Sequence, residues 1–204
     1  MKLSELDYTT IISEKRLEKL SNVLSKRQAD FTVVLENITD PHNLSACLRS
    51  CDAVGILEVC LIYDGSQQFP KLGEKSSASA RKWIDYKKFR SVDDCFSYLK
   101  EKNMNIYTTH MSSDAKSLYE LNLCNPSALV FGNEHSGVSD EALSKADGNF
   151  LIPQVGMIQS LNISVACAVS VYEGFRQRNS AGMYDKSAFS ETSFSEKLKD
   201  WAKR

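Results

Sequence analysis

The 204-residue chain carries 25 Lys and Arg against 26 Asp and Glu, a formal net charge of -1, with 42% hydrophobic residues, nine Gly and four Pro. That length fits a single domain, residues 1–204, able to bury its own core, and the composition excludes collagen-like, low-complexity and disordered chains. Near-neutral charge excludes a surface that is basic throughout, so a nucleic-acid partner would be held by local patches.

Residues 11–28 place Ile12, Leu17, Leu20, Val23 and Leu24 at three- and four-residue spacings among Lys, Arg and Glu, which predicts an amphipathic helix. The β-branched run 31–38, FTVVLENI, predicts a strand. Asp40-Pro41 has the form of an N-cap followed by proline at the first helical position, and the helix is expected to run to Gly55. A second strand is expected at 58–64, then a Ser/Gly/Gln-rich loop over 65–80 and a third strand at 83–89. A helix capped by Ser91 follows, with Phe96 and Leu99 on one face. Strands are expected at 104–111, 127–133 and 149–154, with a short element near Leu118 and a small helix at 140–146. A long helix from Leu161 to about Arg178, ending near Gly182, precedes a short one at 191–203 with Phe194, Leu198 and Trp201 at helical spacing. Strands alternating with helices, several of them continuous apolar runs, imply an α/β fold with a mostly parallel sheet flanked by helices.

Cys47, Cys51, Cys60, Cys95, Cys124 and Cys167 form no C-x-x-C and sit in apolar runs, which suits reduced core thiols. The first twenty residues hold no apolar signal core, and the apolar stretch 165–172 is too short to span a bilayer. An intracellular, soluble protein is expected. His42, His110 and His135 have no partner at metal-ligand spacing, so no metal is expected.

Ligands of such sheets bind at the carboxyl ends of strands. Three loops there stand out: 37–43 running into a helix with Arg49, Gly132-Asn-Glu-His-Ser-Gly137, and 152–162. The paired glycines let backbone approach a ligand while Glu134 orients a partner, although a plain strand-to-helix turn with a solvated Glu has the same spacing. No Gly-Lys-Ser/Thr or G-x-G-x-x-G is present, which disfavours a phosphate loop or an ordinary dinucleotide site. Backbone groups of the third loop could meet an adenine edge, with Ile152, Val155, Met157 and Leu161 as an apolar wall; Ser160 reads equally as an N-cap. Basic residues concentrate at 15–27, at Arg81, Lys82, Lys87, Lys88 and Arg90 with Asp85 as their one acidic neighbour, and at Arg176 and Arg178. Most such faces are merely solvated, and the 81–90 segment is the best candidate for phosphate contacts.

Asp40-Pro-His-Asn-Leu-Ser-Ala-x-x-Arg49, then Phe-Gly-x-Glu134-x-x-Gly137, then Ile-Pro-x-x-Gly156-x-x-x-Ser160-Leu-Asn together resemble the three motifs of the SPOUT, or trefoil-knot, RNA methyltransferases. Within them the chain is most similar to the TrmH type, the tRNA guanosine-18 2'-O-methyltransferases, over about 15–185. The resemblance implies a knot across roughly 128–175, a homodimer, a cytoplasmic location and S-adenosylmethionine as cofactor. It assigns cofactor contacts to Thr109, Gly132, Ile152 and Leu161, with Ser160 and Asn162 beside them. It assigns catalysis to Arg49 with Asn43 and Glu134, acting on a tRNA ribose; the alternatives are ribosomal RNA or a non-catalytic RNA-binding knot protein. Asn43 and Arg49 lie about 240° apart on a helical wheel, so they do not share one face. Gln154 in place of Met, and a Ser-rich loop 74–81, depart from the pattern.

Overall fold

The computed structural model describes residues 12–65, 68–69, 80–112, 114–158 and 160–204. Seven parallel strands form one sheet: β1 (Phe31–Glu36), β2 (Glu58–Ile62), β3 (Asp85–Phe89), β4 (Asn105–Thr109), β5 (Lys116–Ser117), β6 (Ser127–Phe131) and β7 (Gly148–Leu151), in the order β3-β2-β1-β6-β4-β7-β5. All six residues of β1 and all five of β6 are buried, as strands of a sheet covered on both faces must be.

The period of two divides the side chains of β1 between two cores. Val33 and Leu35 enter one with Leu44, Cys47, Leu48 and Cys51 of α2 (Pro41–Ala53) and Cys167 and Val171 of α6 (Ile163–Ser180). Val34 enters the other with Val92, Cys95, Phe96 and Leu99 of α4 (Val92–Glu101) and Ala142 of α5 (Asp140–Lys145). Each fully buried Val, Leu or Phe among them contributes about 1.5–3 kcal/mol, and the smaller Cys and Ala side chains less. A third cluster joins α1 (Glu14–Ser25) to α7 (Glu191–Ala202) through Leu20, Leu24, Leu198 and Trp201. The six cysteines are free thiols, five of them buried.

The caps follow the sequence closely. Asp40 accepts from the His42 amide at 2.8 Å with Pro41 in the first turn, and Ser91 accepts from the Asp94 amide at 3.1 Å. Three boundaries differ from expectation. Residues 80–83 form a helical turn, α3 (Ala80–Trp83), and the strand begins at Asp85; Trp83 is turned edge-on to Trp201, with ring centroids 5.4 Å apart. β7 stops at Leu151, because Pro153 has no N–H for a ladder. Asn162, not Ser160, caps α6, accepting from the Ser164 amide at 2.8 Å. The expected 65–80 loop lies largely outside the described residues.

Arg178, near the end of α6, is fully buried. Its guanidinium donates to the Leu123 carbonyl at 2.8 Å, Gln28 Oε1 at 3.0 Å, Asp30 Oδ1 at 2.5 Å and the Asn125 carbonyl at 3.1 Å. It therefore fastens α6 to the entries of β1 and β6, and is no part of a basic surface.

Candidate active site

The site begins where β1 ends. Asn37 takes the left-handed region at φ 53°, which Asn tolerates better than branched residues, and this turns the chain toward α2. The turn is fixed by the Asn37 amide donating to the Ile62 carbonyl at 2.8 Å and by Asn133 Nδ2 donating to the Asn37 carbonyl at 2.7 Å. The loop after β6 closes on itself through reciprocal backbone bonds between Asn133 and Gly137, both 2.9 Å, with Gly137 at φ 71°. A Cβ on Gly132 would lie 2.1 Å from the Gly137 carbonyl, so only glycine fits there.

These two turns bring Glu134 to the start of α2. Asn43 Nδ2 donates to Glu134 Oε1 at 3.0 Å, and the Thr39 hydroxyl and amide approach Oε2 at 3.2 and 3.4 Å. Asn43 Oδ1 in turn accepts from Asn162 Nδ2 at 3.1 Å, and Asn162 Oδ1 caps α6. One chain of hydrogen bonds thus links all three loops. Partial burial pushes the Glu134 pKa up, but the donors, led by Asn43, outweigh it and hold the carboxyl below the ordinary carboxylate range.

Beside this chain lies a cavity of about 960 Å³. Thr109, Gly132, Ile152, Ser160, Leu161 and Asn162, six residues expected to contact a cofactor, all line it. Phe131, Phe150, Ile163 and Ala166 complete apolar walls, and His110 and His135 stand at its edge. Val155 and Met157 correct the expected apolar wall: both are fully exposed and neither lines the cavity. Among the described residues, the backbone groups of Val155, Gly156, Met157 and Ile158 have no main-chain partner, which leaves donors and acceptors for a ligand. Arg49 is on the exposed side of α2 and does not line the cavity, in keeping with its angular separation from half-buried Asn43. Thr39 escapes sequence reasoning, since its contact to Glu134 depends on the turn at Asn37.

Residues 30–172 match the family described as SpoU rRNA Methylase. The chain belongs to this family. It is 42% identical over 192 residues, 94% of this chain and 98% of the relative, to the tRNA (guanosine(18)-2'-O)-methyltransferase of Thermus thermophilus. The crystal structure of the A. aeolicus TrmH/SpoU tRNA modifying enzyme superposes with a TM-score of 0.87 at 37% identity, covering 93% of this chain and 96% of that one. The SpoU methyltransferase AviRb from Streptomyces viridochromogenes, solved in complex with the cofactor AdoMet, shares the fold at 22% identity and a TM-score of 0.65 over 76% of this chain and 64% of that one.

The basic residues of this SpoU chain fall on different surfaces. Lys87 lies 4.0 Å from the centre of the Tyr98 ring, on the α4 side of edge strand β3, whereas Lys88 and Arg90 lie 5.0 and 4.3 Å from the Phe69 ring, on the α2 side. Asp85 is engaged by Lys197 and by Arg204 Nη2, the latter at 3.0 Å, so α7 cancels the one acidic charge of the segment. Lys82 is exposed, and the Arg81 side chain lies outside the described residues. Arg176 is 65% exposed and grips Glu173 through Nε and Nη2, both at 2.8 Å. Among the described residues no three His, Cys, Asp or Glu side chains gather as a metal site, and no helix is long and apolar enough to cross a membrane.

Proposed function

We propose that this protein, a single cytoplasmic catalytic domain with the knotted path across 128–175, methylates the 2'-hydroxyl of guanosine 18 in the D-loop of tRNA. The observation that carries the reading is the Glu134–Asn43–Asn162 hydrogen-bond chain at an apolar cavity, in a chain so similar to a guanosine-18 methyltransferase along nearly its whole length. The cavity suits S-adenosylmethionine: apolar walls for an adenine, unladdered backbone groups for its edge, and a carboxylate nearby for a cation. When bound, that cofactor supplies the methyl group of an in-line transfer to the ribose oxygen.

Thr109, Gly132, Ile152 and Leu161 hold the adenosine portion, with Ser160 and Asn162 beside them. Asn43 is fixed by Glu134 on one side and Asn162 on the other, so its amide is oriented before any substrate arrives. Arg49 clamps an RNA phosphate and stabilises the developing alkoxide; guanidinium is too weak an acid to rest as a base, so the proton leaves to phosphate or water. Because Arg49 stands clear of the cavity in its own chain, the working site draws on two copies. Val155, Met157 and Ile158 of the loop and Val165 and Tyr172 of α6 expose the apolar surface on which a second copy packs. Arg81, Lys82, Lys87, Lys88, Arg90 and Arg176 serve as RNA contacts, and no metal is required.

The test is to incubate the protein with labelled S-adenosylmethionine and unmodified total tRNA or rRNA and map the labelled nucleotide. Label at guanosine 18 of tRNA is expected; label in rRNA alone, or none with either RNA, overturns the reading.

A further inference from the structure

Resting on the reading of the cavity as the S-adenosylmethionine site, we propose that Glu134 is its charge selector, favouring the cationic donor over the product left after transfer. Donor and product share adenosine, ammonium and carboxylate groups. They differ by one methyl and by the positive charge of the sulfonium, which the product thioether lacks. A site that turns over must release the product, and the difference in charge is the largest handle it has.

Among the described residues lining the cavity, Glu134 is the one carboxylate, and no Lys or Arg is present. His110 and His135 are the other titratable side chains there. Glu134 is held ionised and in place by Asn43 Nδ2 at 3.0 Å and by the Thr39 hydroxyl at 3.2 Å. Neither partner is charged, so within its own chain the carboxylate's negative charge is hydrogen-bonded without being cancelled by a cation, and the Arg49 that a second copy brings is committed to the RNA phosphate. Such an arrangement offers a standing negative potential at the cavity, which acts on the sulfonium and on no other difference between the two ligands.

Calorimetry on the full chain at pH 8, with S-adenosylmethionine and S-adenosylhomocysteine as separate probes, tests this. Glu134→Gln is expected to lower the ratio of donor to product affinity about fivefold, chiefly by weakening the donor. Glu134→Asp, which keeps the charge, is expected to hold the ratio within about twofold of the parent protein. An unchanged ratio in Glu134→Gln, equal weakening of both ligands, or loss of both assigns Glu134 a purely structural role and overturns the inference. If the parent protein binds neither ligand, the cofactor reading of the cavity fails instead, so the two failures are distinguishable.

Discussion

Gly132 and Arg49 are opposite kinds of important residue. At Gly132 any Cβ collides with backbone that cannot yield, 2.1 Å from the Gly137 carbonyl, so Gly132→Ala is expected to cost about 3 kcal/mol in a denaturant titration and to abolish cofactor binding. Arg49 is exposed, so Arg49→Ala is expected to leave stability within about 0.5 kcal/mol and cofactor binding intact while methylation disappears. Substantial methylation by a correctly folded Arg49→Ala protein would remove its catalytic role. Tyr184 supplies a pH signature. Its hydroxyl donates to the Val54 carbonyl at 2.7 Å, and burial pushes its pKa from the ordinary 10.0 up to about 12. The fold favours the neutral phenol, so this contribution is complete below pH 10.0 and is lost as pH rises through about 12. Alkaline denaturation is expected to show that loss in the parent protein and a smaller one in Tyr184→Phe. At this scale the sequence was informative wherever chemistry repeats a pattern: Asn43, Glu134 and five of the cavity residues are legible from motif order, whereas Thr109 came only with the family resemblance. Thr39 was not, because a threonine beside a carboxylate is a property of the folded turn, and Val155 and Met157 fall outside the lining because apolar character alone does not say which loop side chains reach a cavity.

Elements behave in the same divided manner. Arg176 and Arg178 are two residues apart on α6 and look equivalent as letters, yet helical rotation sends one to solvent and the other into the sheet. Arg178→Ala strands the Leu123 carbonyl and Gln28 Oε1 without their guanidinium donor, and is expected to cost about 3 kcal/mol or more in urea unfolding. Arg176→Ala removes the exposed partner of buried Glu173, while Gln177 Nε2 still donates to that carboxylate, so a smaller loss of about 1–2 kcal/mol is expected. Helix starts were readable from Asp40-Pro41 and Ser91 because a cap is a local bargain between one side chain and the next amides. Strand order was not, since the placement of β6 between β1 and β4 depends on faces that meet only after long crossovers. The turn at Ala80–Trp83 was hidden for a related reason: Trp83 has strand character in sequence, and its actual partner, Trp201, is near the other end of the chain.

For the whole molecule, a net charge of -1 says little about its surfaces. Cations gather on both faces of the β3 edge, and α7 neutralises Asp85 between them. Reversing Lys88 and Arg90 together is expected to weaken tRNA binding and to reduce the slope of log affinity against log salt by about one per lost phosphate contact. Unchanged affinity at low salt would dismiss the α2 side of that edge, and the same comparison for Lys87→Glu tests the α4 side separately. The bonds made by Arg178 also bear on how the protein is born. Its partners lie 55, 53, 150 and 148 positions earlier in the chain, and every strand of the sheet is synthesised before this guanidinium is. Until then the entries of β1 and β6 are joined by the ladder itself, which begins with the Ser127 amide donating to the Asp30 carbonyl at 2.9 Å, and the guanidinium fastening is added only once α6 has been made.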